Sequence, residues 1–201
     1  MCKRCPWLDE TKADYVEYHD KEWGVPVLDD KTMFEYLVLE SAQAGLSWYT
    51  ILKRREGYRR AFANFDVEKV AAFTEQDENR LREDAGIIRN KLKISATITN
   101  ARHFIEIQKE FGSFCHYIWS FVDHKVIVNS YQTLEQYPAT SPISDALSKD
   151  LKKRGFKFVG STIIYAHLQA AGLVNDHSLD CNRRQEVIDS YAQLGLEYQA
   201  V

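Results

Sequence analysis

The sequence predicts an all-α fold in a single domain. Three observations carry this. Apolar residues recur at three- and four-residue spacing along most of the chain, cap-type residues open these stretches at regular intervals, and no series of alternating segments suggests a sheet. At 201 residues the chain is long enough for one substantial core.

Each element has a local reason. A first helix is expected over 9–23, closed by Gly24 and Pro26. Asp29 or Asp30 can cap a second helix that runs to Gly45, and Ser47 a third from Trp48 to about Phe62. Thr74 followed by Asp77 resembles a capping box and opens a helix to about Asp84. Gly86 breaks the chain before a longer helix from Lys91 to about Phe111. An aromatic-rich short helix follows over 114–122. Val126-Ile127-Val128 reads as a brief strand or an extended stretch. Residues 138–142 form a loop with turn-type residues. Ser144 caps a helix ending at Gly155, another spans 161–171 before Gly172, and 185–194 suits a terminal helix.

Composition excludes several function classes. Hydrophobic residues make up 45% and aromatic ones 12%, too much for a disordered chain. The formal net charge of −3 excludes a uniformly basic nucleic-acid coat. No run approaches 18 apolar residues, so no membrane span is expected, and the N-terminus lacks the apolar stretch of a secretory signal. Four cysteines (Cys2, Cys5, Cys115 and Cys181) without an export signal point to a reducing compartment, the cytoplasm, rather than a disulfide framework.

Five constellations carry candidate chemistry. Glu40 falls within the apolar stripe of Met33, Leu37 and Ala44, where a carboxylate costs desolvation energy unless it is paired or used. The alternative puts it at the stripe's edge, bonded to Tyr36 or Gln43. Trp7, Tyr15, Tyr18, Trp23 and Trp48 flank the same stretch; aromatic walls around one carboxylate suit a flat cationic ring, or are simply core. Cys5, His19, His177 and Cys181 offer two thiolates and two imidazoles, a tetrahedral zinc set that would tie the chain's ends together. Spacing leaves rivals open: Cys2 pairs with Cys5 as C-x-x-C, and His116 and His124 lie near Cys115.

The fourth constellation is patchy basicity. Lys53, Arg54, Arg55, Arg59 and Arg60 form one cluster, and Lys149, Lys152, Lys153, Arg154 and Lys157 another. Arg89, Lys91 and Lys93 follow the Gly86 turn. Such clusters contact phosphates or are solvated helix faces. The fifth is that turn itself, Asp84-Ala85-Gly86-Ile87-Ile88-Arg89, which presents backbone N–H groups suited to phosphate.

Taken together, these blocks resemble the 3-methyladenine DNA glycosylase I family. The resemblance rests on Cys5-Pro6-Trp7, on the run from Tyr18 to Pro26 and on the run from Leu39 to Trp48. It continues through the turn at 84–89, Trp119-Ser120-Phe121-Val122, the run from Lys152 to Gly160, and the run from Ala171 to His177. The blocks keep their order from about residue 2 to residue 181, so residues 1–181 read as one helical glycosylase domain that includes the zinc-binding ends, with 182–201 left as a variable C-terminal tail.

The resemblance implies a helix-hairpin-helix glycosylase bundle that flips 3-methyladenine out of alkylated double-stranded DNA and hydrolyses its N-glycosidic bond in base excision repair. It implies one structural zinc on Cys5, His19, His177 and Cys181, with Cys2 a bystander. Glu40 becomes the base-recognising carboxylate and catalytic candidate, Tyr18 the pocket tyrosine and Trp48 the stacking ring. Trp7, Tyr15 and Trp23 complete the wall. Gly45 and Leu46 fill the gap left by the flipped base, and Gly86, Arg89, Lys93 and Lys157 are candidates for DNA contact. The chain is expected to act as a monomer. Many helix-hairpin-helix glycosylases carry a catalytic aspartate or lysine shortly after the hairpin. Here Ile87, Ile88, Arg89, Asn90 and Lys91 follow Gly86, in keeping with a family understood to lack that aspartate. Two other classes fit parts of the pattern, a lesion binder without turnover and a zinc-stapled interaction module. A zinc deaminase does not, because H-x-E…P-C-x-x-C is absent.

Overall fold

A computed structural model describes residues 3–201. The described residues form eleven α-helices and three short strands, with two 3₁₀ turns among them. The all-α expectation needs correction: β2 (Val174–Asn175), β1 (Lys125–Val128) and β3 (Glu197–Ala200) form a small parallel sheet in that spatial order. Ile127 registers with Val174, and Val128 with Asn175 and Ala200. Two- and four-residue strands are too short for an alternating pattern to show in sequence.

The centre of the molecule is α2 (Asp30–Gln43), buried from Met33 to Ala42. It packs against α3 (Trp48–Leu52), α7 (Lys91–Phe111), α8 (Phe114–Ser120) and α10 (Ser161–Ala170). A helix hydrophobic nearly all round needs such an envelope. Its start is fixed twice. Asp29 accepts a hydrogen bond from the Thr32 N–H, while Asp30 accepts from the Phe114 and Cys115 N–H groups and caps α8.

Before α2 lies α1 (Ala13–Lys21). The single helix expected over 48–62 is instead α3 and α4 (Arg55–Ala61), broken at Lys53 and Arg54. α5 (Val67–Ala71) was not anticipated. α6 (Glu75–Glu83) opens with the expected Thr74–Asp77 capping box. α9 (Pro142–Lys153) is capped by Ser141 rather than Ser144, with Pro142 at its first turn, where the missing N–H costs nothing.

Between α6 and α7 the chain turns sharply at residues 84–90. Asp84 accepts from the Gly86 N–H at 2.7 Å, and Asn90 caps α7 through the Lys93 N–H. Gly57 of α4 makes this turn possible: a Cβ there would lie 2.1 Å from the Gly86 carbonyl oxygen.

The two chain ends meet. The Val27 N–H donates to the Ala171 carbonyl, and the Asn182 N–H to the Lys3 carbonyl. Residues 182–201 form α11 (Asn182–Ser190) and β3, with Val187 and Tyr191 buried in the core. Asn175 donates to the Tyr191 hydroxyl at 2.9 Å. No helix among the described residues is long and apolar enough to cross a membrane.

Candidate base-binding cavity and metal-ligand quartet

α1 presents Tyr15 and Tyr18 on one face, three residues apart. Trp7 precedes that helix and Trp23 follows it. α2 contributes Glu40 and Gln43, and α3 begins with Trp48, set by its Ser47 cap. All of these residues line one cavity of about 260 Å³, open at one side. Its remaining wall was not foreseen: Leu134, Tyr137 and Pro138 from the loop after β1, and Ala166 and Gln169 from α10. The turn-type residues at 138–142 signal local geometry rather than a cavity wall, and Leu134 and Tyr137 lie before that stretch.

The aromatic wall is built from two groups of rings in contact. Trp7 lies 4.8 Å from Trp23 and 5.5 Å from Tyr15, between ring centroids. Tyr18 lies 5.3 Å from Trp48. Burial raises the Tyr18 and Tyr15 hydroxyls, Glu40 adding to it, and Tyr15 reaches about 12. Both remain neutral donors near pH 7.

Glu40 is not at the stripe's edge. Its exposure is 2%, and Oε2 has no hydrogen-bond partner. Tyr36 does not pair with it; that hydroxyl donates to Glu22. Burial alone pushes the Glu40 carboxyl up to about 8. The indole N–H groups of Trp7 and Trp48 are likewise buried without partners. Each such atom costs roughly 1–3 kcal/mol. Two donors and a carboxylate, left unsatisfied around one cavity, describe a site built for a polar, flat guest.

The metal-ligand quartet converges as expected. The donor atoms of Cys5, His19, His177 and Cys181 lie within 4.8 Å of one another, and all four residues are buried. Cys5 Sγ is 3.4 Å from His177 Nδ1, and Cys181 Sγ is 3.6 Å from that atom and 3.7 Å from His19 Nε2. A tetrahedron with zinc–sulfur and zinc–nitrogen bonds of ordinary length has sulfur–nitrogen edges of about 3.5 Å. The opposite ring nitrogens are occupied too. His177 Nε2 donates to the Trp23 carbonyl at 3.0 Å, and His19 Nδ1 pairs with Asp20 at 2.7 Å. Such outer partners orient metal-binding imidazoles. Cys2 lies outside the described residues. His116 and His124 stack on each other, 5.0 Å apart, and lie outside the quartet.

The basic clusters divide. Arg55 donates to Glu22 and Glu35, Arg59 to Glu35, and Arg154 to Asp150 and Glu110. These three guanidiniums build the fold rather than a phosphate surface. Arg89 and Lys157 are exposed and carry no ion pair among the described residues. Asn100 clamps the Lys157 backbone through both its N–H and its carbonyl. Gly45, with φ of 78°, and Leu46 form an exposed tip between α2 and α3. Lys93 turns inward, and its Nζ donates to the carbonyls of Ala42 and Ala44 at 2.8 and 2.6 Å.

A family model described as methyladenine glycosylase matches residues 7–185. DNA-3-methyladenine glycosylase 1 of Escherichia coli (strain K12) is 52% identical over 179 residues, 89% of this chain and 95% of that protein. A crystal structure of 3-methyladenine DNA glycosylase I superposes with a TM-score of 0.87 at 48% identity, covering 90% of this chain and 98% of that one. A structure addressing 3-methyladenine recognition by the Staphylococcus aureus enzyme gives 0.84 at 40% identity, over 86% and 92%.

Proposed function

The chain belongs to the methyladenine glycosylase family, and from that premise we infer that it excises 3-methyladenine from alkylated DNA by hydrolysing the N-glycosidic bond. One observation carries the reading: Glu40 is a buried, unpaired carboxyl in an aromatic-walled cavity of about 260 Å³.

N3-methylation makes the base cationic and a good leaving group, so strong general-acid protonation is not needed. Selection of positive charge is. With its carboxyl near 8, Glu40 is largely neutral at pH 7 in the empty cavity. Ionising it there costs only about 1.4 kcal/mol. A cationic ring at hydrogen-bond distance in a desolvated site offsets that cost, and undamaged adenine does not. Trp48 adds cation–π attraction of about 0.5–2 kcal/mol. The free Trp7 indole N–H and the Tyr18 hydroxyl are donors for the ring's edge. The ionised Glu40 then faces the positive charge that develops on the sugar as the bond breaks.

The wider arrangement supports a helix-hairpin-helix reading. α6, the turn over 84–90 and α7 form the hairpin unit, with Gly86 and Arg89 toward the phosphate backbone and Lys157 nearby. Leu46 enters the duplex where the base leaves, and Gly45 lets the backbone approach. Cys5, His19, His177 and Cys181 would hold one Zn²⁺. Four protein ligands leave no open position, so the ion would serve structure by joining the chain's ends. One chain supplies the whole cavity wall, which suits a monomer acting on double-stranded DNA in the cytoplasm.

The test is release of free 3-methyladenine from methylated duplex DNA. Wild type releases the base, and Glu40→Gln slows release by about 10²-fold or more. No release by wild type above background would leave a lesion binder as the better description.

A further inference from the structure

Lys93 does not point where a phosphate contact would. It sits in the first turn of α7, directly after the 84–90 hairpin, and is half-buried. Two of its three N–H groups are committed, to Ala42 and Ala44. Those carbonyls close α2, and the last carbonyls of any helix lack partners within it. A cation at that end also meets the negative pole of the helix dipole. α2 has no basic residue in its own last turn, so the charge arrives from 49 and 51 residues away.

Three functional parts meet at this ammonium. Glu40 and Gln43 stand in the last turn of α2 and line the cavity. The loop 44–47 continues from the clamped carbonyls. Ala44 turns extended, Gly45 adopts positive φ, and the Leu46 N–H bonds back to Gln43 at 2.6 Å. The result is an exposed leucine, 40% accessible, at a fixed tip. The hairpin turn with exposed Arg89 ends at residue 90, three residues before Lys93.

We propose that Lys93 is a positioning residue for base eversion: it braces loop 44–47 so that Leu46 enters the duplex as the hairpin seats on the DNA backbone. The proposal rests on the reading of Leu46 given above. It assigns Lys93 an action through Leu46 and not through the base or a phosphate.

Lys93→Met keeps the stem and removes the donors. It lowers single-turnover excision from duplex DNA, and 2-aminopurine eversion beside the lesion, by about tenfold or more, since ångström-scale misplacement has effects of that size. Affinity for free 3-methyladenine, read by tryptophan quenching, stays within about twofold because the cavity is intact. The double variant with Leu46→Ala is no worse than Leu46→Ala alone, as expected for residues acting as one unit. Lys93→Arg, which keeps donors, recovers most of the loss.

Parallel loss of free-base binding, additivity with Leu46→Ala, or a salt slope of binding lower by about one would each overturn the proposal, the last by marking a direct phosphate contact. Lys93→Gln gives the same split at smaller amplitude. Failure of both Lys93→Met and Lys93→Gln to fold would overturn it too, by making the lysine a stability residue. On a duplex with 2-aminopurine beside an abasic site the same fluorescence change reads Leu46 insertion, so the test remains measurable even if wild type releases no base.

Discussion

His177 Nε2 donates to the Trp23 carbonyl at 3.0 Å, and this bond joins the candidate metal site of Cys5, His19, His177 and Cys181 to the cavity wall. Trp23 also meets the His177 ring edge-on at 4.7 Å, while Trp7 lies 5.3 Å from His19. The quartet and the cavity therefore share a wall, and disturbance of one reaches the other.

Metal loss is expected to loosen both. Elemental analysis should find about one zinc per chain, absent in Cys181→Ser. That variant should melt earlier and show altered emission from Trp7 and Trp23, with weaker binding of free 3-methyladenine. A folded wild type with metal content near zero and unchanged emission on chelation would refute this.

Glu40 weakens the fold in order to serve the site. Its carboxyl sits at about 8, above the ordinary 4.5, so the folded chain holds that proton more tightly than the unfolded chain does. The contribution is present in full below pH 4.5 and is lost as pH rises toward 8. At pH 7 the loss is about 3 kcal/mol. Glu40→Gln should therefore be more stable than wild type at pH 7, with the gap in denaturant midpoint closing near pH 4.5. A gap independent of pH would contradict the assignment.

Two arginines separate fold from function. Arg55 is held between Glu22 and Glu35, and Arg55→Met leaves both acids short of a partner. Because Glu35 keeps Arg59 and Glu22 keeps the Tyr36 hydroxyl, a loss of about 1–3 kcal/mol is expected, with the salt slope of DNA binding unchanged. Arg89→Ala should do the reverse: little change in stability, and a slope lower by about one. Urea titration and binding isotherms across salt concentrations measure the two effects.

Local signals were enough for much of the fold. Asp29 and the Thr74–Asp77 capping box mark helix starts, and these starts and that of α7 at Lys91 agree with the sequence reading. Signals that need distant partners were not legible. Arg55 read as part of a basic face because its partners are 33 and 20 residues away. The split of 48–62 at Lys53 and Arg54 has no glycine or proline to announce it. The sheet is built from strands too short to show a period. Spacing also left the metal ligands open among several cysteines and histidines. Only the meeting of the chain's ends brings those four together. Glu40 was legible as a polar residue in an apolar stripe, but its lack of a partner is a property of the packed cavity.

The central claim is that Glu40 takes up charge in response to a cationic base, and NMR titration of its ¹³C-labelled carboxyl tests this most directly. The probe is 3,9-dimethyladeninium, a ring with fixed positive charge. In the free protein the carboxyl should titrate near 8, and with the probe bound it should be ionised throughout the neutral range. A carboxyl already ionised at pH 6 in the free protein, or one whose titration the cation leaves unmoved, would contradict the account.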